Sequence, residues 1–203
     1  MSQATAVQPT AQPANDVTGG VLLVLAHPAL ERSRANRALA KAVKALPGVT
    51  FHDLYETYPD FVVDVEAEQA RLTAHDVIAL QFPFYWYSTP ALMKEWLDLV
   101  WLHGFAYGKT GHALRGKRLF VATTTGGGQG LYAAEGGNRF SMAEFLRPLE
   151  QTAYLCGMSW EEPFVAHSAS ICDDAGLAAR AQAYRARMAA LTGVAQVAAG
   201  STP

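Results

Sequence analysis

Short uninterrupted apolar runs alternate along this chain with longer stretches whose apolar positions recur at helical spacing. Val21–Ala26 (VLLVLA), Val77–Phe82 (VIALQF) and Lys117–Thr124 (KRLFVATT) are the clearest runs. A strand buried on both faces of a parallel sheet reads this way. Val49–Leu54 and Pro163–His167 are two shorter candidates. Between the runs, the pattern predicts a helix over Asn36–Leu46, capped by Ser33 and stopped by Pro47-Gly48. Another is expected over Asp64–Thr73. A third begins at Pro90 and continues to about Leu102, with Leu92, Met93, Trp96, Leu97 and Val100 on one face. Phe140–Cys156 reads as a helix interrupted or bent near Pro148, and Asp174–Leu191 as a closing helix.

Strands alternating with helices imply a parallel, right-handed, doubly wound α/β sheet. Five strands in order 2-1-3-4-5 fit this length. Ligands of such sheets bind outside the carboxyl ends of the strands flanking the point where the winding reverses. The loops after strands 1, 3 and 4 are therefore the candidate site, and they are also the least ordinary loops in the chain.

The first of these loops contains His27, Ser33, Arg34 and Asn36 and runs into a helix. A helix start offers unpaired N–H groups and partial positive charge to a phosphate. The same residues also suit plain capping with solvated arginines. The second, Pro83–Pro90, holds Phe84, Tyr85, Trp86 and Tyr87 in succession. Four aromatics between prolines suit one wall of a flat cavity, or a cover over the core or a subunit interface. The third holds Thr124, Thr125, Gly126 and Gly127, where side-chain-free backbone can approach a planar ligand closely or simply form a flexible loop.

Composition narrows the chemistry. Half of the 203 residues are hydrophobic and the formal net charge is −2, so nothing indicates nucleic acid or a strongly acidic electron carrier. Cys156 and Cys172 form no CxxC pair, and a reducing cytoplasm fits two isolated, small buried thiols. No metal is expected: His52, His75, His103 and His112 are scattered, and Asp173-Asp174 read as a helix cap. His167 reads as a structural histidine beside the pocket. No P-loop, GxGxxG or GxSxG motif occurs. Residues 1–19 and 194–203 read as flexible tails flanking one domain over 20–193, and the first lacks the features of a signal peptide.

Together LAHP at 25–28, SRAN at 33–36, LYETYPDF at 54–61, QFPFYWYSTPALMKEWLD at 81–98, HGFAYG at 103–108, TTGGG at 124–128 and ICDD at 171–174 make the chain resemble the NAD(P)H dehydrogenase (quinone) family. Within it, the sequence is similar to ancillary subunits of glutathione-regulated potassium-efflux systems. The resemblance implies a flavodoxin-like three-layer sandwich and a flavin, FMN with FAD as the alternative, reduced by NADPH or NADH. It implies two-electron ping-pong transfer to a quinone or similar acceptor, or a regulatory role beside a membrane potassium-efflux transporter. His27, Ser33, Arg34 and Asn36 would hold the phosphate region. Phe84–Tyr87 and Thr124–Gly127 would hold the isoalloxazine. Tyr132 falls beside the hydride-transfer site, and the family's partner histidine is replaced by Asn138, which cannot relay a proton near neutral pH. A homodimer, cytoplasmic and at the inner face of the membrane, is also implied.

Overall fold

A computed structural model describes residues 19–193, so the expected tails lie outside it apart from Gly19, whose N–H donates to Ala74 O at 3.0 Å. The sheet is parallel. β1 (Val21–Leu25) lies between β2 (Val49–Asp53) and β3 (Val77–Pro83), and β3 pairs with β4 (Arg118–Thr124). Every residue of β1 and β3 is buried, which is why neither shows polar alternation in sequence.

The strand order holds, but the fifth position differs from the single strand expected there. It consists of β5 (Ser159–Trp160) and β6 (Phe164–Ala166), both against β4. Trp160 opposes Leu119 and Phe164 opposes Ala122, so four steps along this edge match three along β4. The extra residue forms a bulge at Glu161-Glu162-Pro163, where Pro163 has no N–H to give the ladder.

α1 (Arg34–Val43) and α6 (Asp174–Thr192) cover one face, burying Leu39, Tyr184 and Met188 against Val21, Leu23, Ala79 and Phe120. The other face carries α2 (Leu54–Thr57), α3 (Val65–Ala74), α4 (Ala91–Val100) and α5 (Met142–Leu155) over Leu22, Val24, Ile78 and Leu80. α2 is an element not anticipated from the pattern; Asp53 starts it by accepting from the N–H groups of Tyr55 and Glu56. α5 passes through Pro148 without interruption, and a Ser141–Glu144 capping box fixes its start. Each large aliphatic side chain in these layers contributes about 1.5–3 kcal/mol by burial.

Where β2, α2, α3 and α4 meet, the fully buried Glu68 carboxylate accepts from Tyr58 OH at 2.7 Å and Trp96 Nε1 at 2.8 Å. His52 Nε2 lies 2.9 Å from the same group. This polar knot anchors α4, and with it the aromatic loop that precedes α4. His75 is buried too, held between Arg71 O and Thr50 Oγ1, while His103 and His112 are exposed. Cys156 is buried, but Cys172 is only half-buried because it lies in the loop before α6.

Candidate functional site

His27 sits buried just past the end of β1. Its Nδ1 accepts from the Ala29 N–H at 3.1 Å, which puts the ring proton on Nε2 and makes that atom a donor. Burial lowers its pKa from 6.5, against the pull of Glu31, so the ring is neutral. Ser33 caps α1 by accepting from the Asn36 N–H at 3.2 Å. The N–H groups of Arg34 and Ala35 have no intrahelical partner at this helix start, which leaves them for an anion. The loop therefore caps the helix through Ser33 and leaves the first-turn N–H groups of α1 without an intrahelical partner.

Two residues of this loop, both expected at the phosphate region, make contacts that join it to other parts of the chain. The Arg34 guanidinium donates to Asp174 Oδ1 at 2.7 Å and to Cys172 O at 3.1 Å, bracing the start of α6. Asn36 is buried, and its Nδ2 donates to Thr124 Oγ1 at 2.8 Å. Gln81 Nε2 donates to the Asn36 carbonyl at 3.0 Å. Asn36 thus stitches the first loop to the third, and its Oδ1 remains a buried acceptor with no partner.

The aromatic loop is strained. Tyr85 and Ser88 bond to each other across a tight turn, and the two residues between them, Trp86 and Tyr87, have φ of 48° and 64°. Bulky residues pay about 1–2 kcal/mol each for that left-handed conformation. Trp86 projects outward, 93% exposed. Tyr87 folds back to stack on Phe145 at 5.2 Å between ring centroids, and Phe84 meets Tyr87, Tyr132 and Phe145 edge-on.

The third loop is held rigidly. The Thr125 N–H donates to Ala166 O, Ala169 N–H to Thr125 O and Ser168 N–H to Gly127 O, at 2.8–3.0 Å. A Cβ on Gly127 would meet Leu131 Cδ1 at 2.8 Å, so a side chain there would have to displace the end of Leu131. A Cβ on Gly126 would meet nothing within 4 Å. The chain itself has no packing use for a bare backbone there, whereas a flat ligand lying on the loop does.

A family model for the flavodoxin-like fold matches residues 20–188. The chain belongs to this flavodoxin-like family. The chain is 44% identical over 168 residues to the glutathione-regulated potassium-efflux system ancillary protein KefF of Enterobacter sp. (strain 638), covering 83% of this chain and 94% of KefF. The crystal structure of general stress protein 14 from Treponema denticola, in complex with FMN, matches at TM-score 0.81 and 38% identity over 85% of this chain and 99% of that one. An NADPH-quinone reductase from P. pentosaceus matches at TM-score 0.76 and 32% identity, over 83% and 97% of the two chains.

The residues of this flavodoxin-like chain fit an FMN-type group. A neutral Nε2–H donor and a capped helix start face the requirement of a phosphate. The clear floor at Gly126 suits a flat ring. The orphaned Asn36 Oδ1 is an acceptor that the protein alone leaves unsatisfied. Tyr132 lies beside the third loop, its ring 3.5 Å from where a Cβ on Gly127 would stand. Asn138 does not pair with it: Asn138 Oδ1 accepts from Tyr87 OH at 3.3 Å, tying the aromatic loop to the Tyr132 segment instead.

His167, a structural histidine beside the pocket in the sequence reading, borders the third loop. The His167 ring packs on the Tyr132 ring at 5.4 Å between centroids, and its Nδ1 lies 3.0 Å from Thr125 Oγ1. Its place at the end of β6, next to Ser168, was the available signal. A separate cavity of about 410 Å³ opens behind the aromatic loop, between α4 and α5, lined by Phe84, Tyr87, Trp101, Tyr107 and Phe145.

Proposed function

We propose that this chain is an FMN-dependent NAD(P)H:quinone oxidoreductase. The observation that carries the reading is the convergence of three loops at one end of β1, β3 and β4. One offers a neutral phosphate donor and an open helix start, one an aromatic wall, and one a rigid glycine floor. Bound flavin would supply two-electron transfer, chemistry that no side chain can perform. The protein's part is to hold the phosphate at His27, Ser33 and the first turn of α1. It also sets the ring against Thr124–Gly127 and leaves one face open beside Tyr132. With a single open face, the nicotinamide and the quinone take turns there, which is ping-pong behaviour. The FMN-bound Treponema protein and the NADPH-quinone reductase support this reading by their similarity.

The similarity to KefF favours a second, compatible role as the ancillary subunit of a potassium-efflux transporter at the inner face of the membrane. No helix among the described residues is long and apolar enough to cross a membrane, so that role would be a docked one. A homodimer would use the face where Leu99, Leu102, Tyr154 and Leu155 stand exposed near the α4–α5 cavity.

The test is an absorption spectrum of the FMN-reconstituted protein, followed anaerobically through addition of NADPH and then a quinone. Bleaching by NADPH and return with quinone are expected. Failure to retain FMN would defeat the reading of all three loops.

A further inference from the structure

We infer that His167 is the proton-relay partner of Tyr132 in quinone reduction, a role that rests on the oxidoreductase reading above. A quinone that accepts a hydride becomes a hydroquinone monoanion, and one proton completes the product. Two electrons and one proton arrive with the hydride, and the second proton must come from the protein or solvent. Tyr132 is the phenol on the open side of the third loop, and its hydroxyl has no hydrogen-bond partner among the described residues. A phenol that gives up its proton in a partly buried site must regain it quickly.

The neighbouring groups single out His167. Asn138 is engaged by Tyr87 and carries no titratable proton. His167 lies against Tyr132, with the ring centroids 5.4 Å apart and the planes inclined at 39°. Its orientation is fixed from three sides. β6 and its continuation place the backbone, Arg180 Nη1 from α6 donates to the His167 carbonyl, and Thr125 Oγ1 meets Nδ1.

The Thr125 hydroxyl has one proton, and that proton goes to Gly127 O at 2.8 Å. The Thr125 oxygen must therefore accept from His167 Nδ1–H, which leaves Nε2 with its lone pair. Nε2 has no partner among the described residues. It can take a proton from solvent, and the resulting imidazolium returns it to the Tyr132 phenolate. Burial and the Arg180 charge lower the His167 pKa, so the imidazolium releases its proton readily. The groups facing the ring are Tyr132 from the turn after the third loop, Thr125 from that loop and Arg180 from α6. Because His167 acts through Tyr132, it is a positioning and relay residue.

The experiment uses the FMN-reconstituted protein and two variants, His167→Asn and His167→Ala. Asparagine keeps a hydrogen-bonding group near the Nδ1 position and so protects the third loop; alanine opens space for added imidazole. Both variants should retain FMN and bleach with NADPH at rates within about twofold of the parent. Flavin reoxidation by quinone should slow by about tenfold to a hundredfold in each. Millimolar imidazole should restore part of the rate in His167→Ala only. Combining His167→Asn with Tyr132→Phe should cost little more than Tyr132→Phe alone, as expected of residues acting as a unit. Independently of turnover, ¹⁵N NMR should find His167 as the neutral Nδ1–H tautomer. Reoxidation within about twofold of the parent in both variants, or the Nε2–H tautomer, overturns the inference while leaving the oxidoreductase reading intact. A parent protein that neither binds FMN nor bleaches with NADPH overturns both.

Discussion

Glu68 offers the sharpest test of how the scaffold supports its loops. Replacing it with alanine removes the acceptor of Tyr58 OH and Trp96 Nε1 and the carboxylate 2.9 Å from His52 Nε2. An unsatisfied buried polar group costs about 1–3 kcal/mol, and water entering the new space recovers part of that. Breaking one side of a buried charged cluster typically costs about 3–5 kcal/mol, which is the loss expected for Glu68→Ala. Glu68→Gln keeps one acceptor oxygen and turns an amide against the remaining donors, so about 1–3 kcal/mol is expected. Set against a typical domain stability of about 5–15 kcal/mol, the alanine variant is markedly weakened but measurable. Burial alone would raise the Glu68 pKa, but the contacts from His52, Tyr58 and Trp96 prevail and leave it lowered from 4.5. A carboxylate depressed in the folded state contributes stability that is present above its unfolded pKa and is lost as pH falls through the folded one. The parent should therefore weaken below about pH 4.5, and part of that dependence should vanish in Glu68→Ala. Urea unfolding of the flavin-free protein, followed by tryptophan fluorescence, reads both effects. A loss below about 1 kcal/mol at pH 7 would refute the reasoning, because it would mean the three groups repartner without cost.

Trp86→Gly should stabilise the flavin-free protein by about 0.5–1 kcal/mol. Relief of left-handed strain outweighs the entropy of glycine, and the nearly bare indole forfeits little packing; a lower urea midpoint would contradict this. Gly126→Val should leave the flavin-free melting temperature within about 2 °C while weakening FMN about tenfold or more, as read by fluorescence titration, since only a ligand occupies that space. His27 and His167 both have pKa values lowered from 6.5, mainly by burial, so the unfolded chain binds protons first. Their contribution is present above pH 6.5 and falls away below it, so the urea midpoint should drop between pH 7.5 and 5.5, less steeply in His27→Gln.

The strands most plainly legible in the sequence were the buried ones, β1, β3 and β4, while the half-buried β2 was found between Pro47-Gly48 and the following segment. Knowing which strand ends face the switch point was enough to pick the three loops. Less could be read where a role depends on distant partners. Arg34 meets Asp174 across 140 positions, and nothing near either residue encodes the pairing. Glu68 stands on a helix that looks amphipathically weak, and its acceptors' partners come from β2, α2 and α4. The fifth strand was blurred because two short segments flank Glu161-Glu162-Pro163, a tripeptide that reads as loop by itself. His167, just past β6, and Tyr132, in the turn after the third loop, lie 35 positions apart, and their ring contact is likewise invisible in the sequence.

The same bulge decides how the molecule behaves in a crowd. A long, flat outer strand would present a row of free N–H and C=O groups to any other chain. Here the outer row is cut into segments of two and three residues, with a proline between them. Glu161 at the break is held by Arg118 at 3.5 Å and Arg187 at 2.9 Å, so charge sits where a foreign strand would have to zip. Self-templated growth of the sheet across this side is thereby blocked.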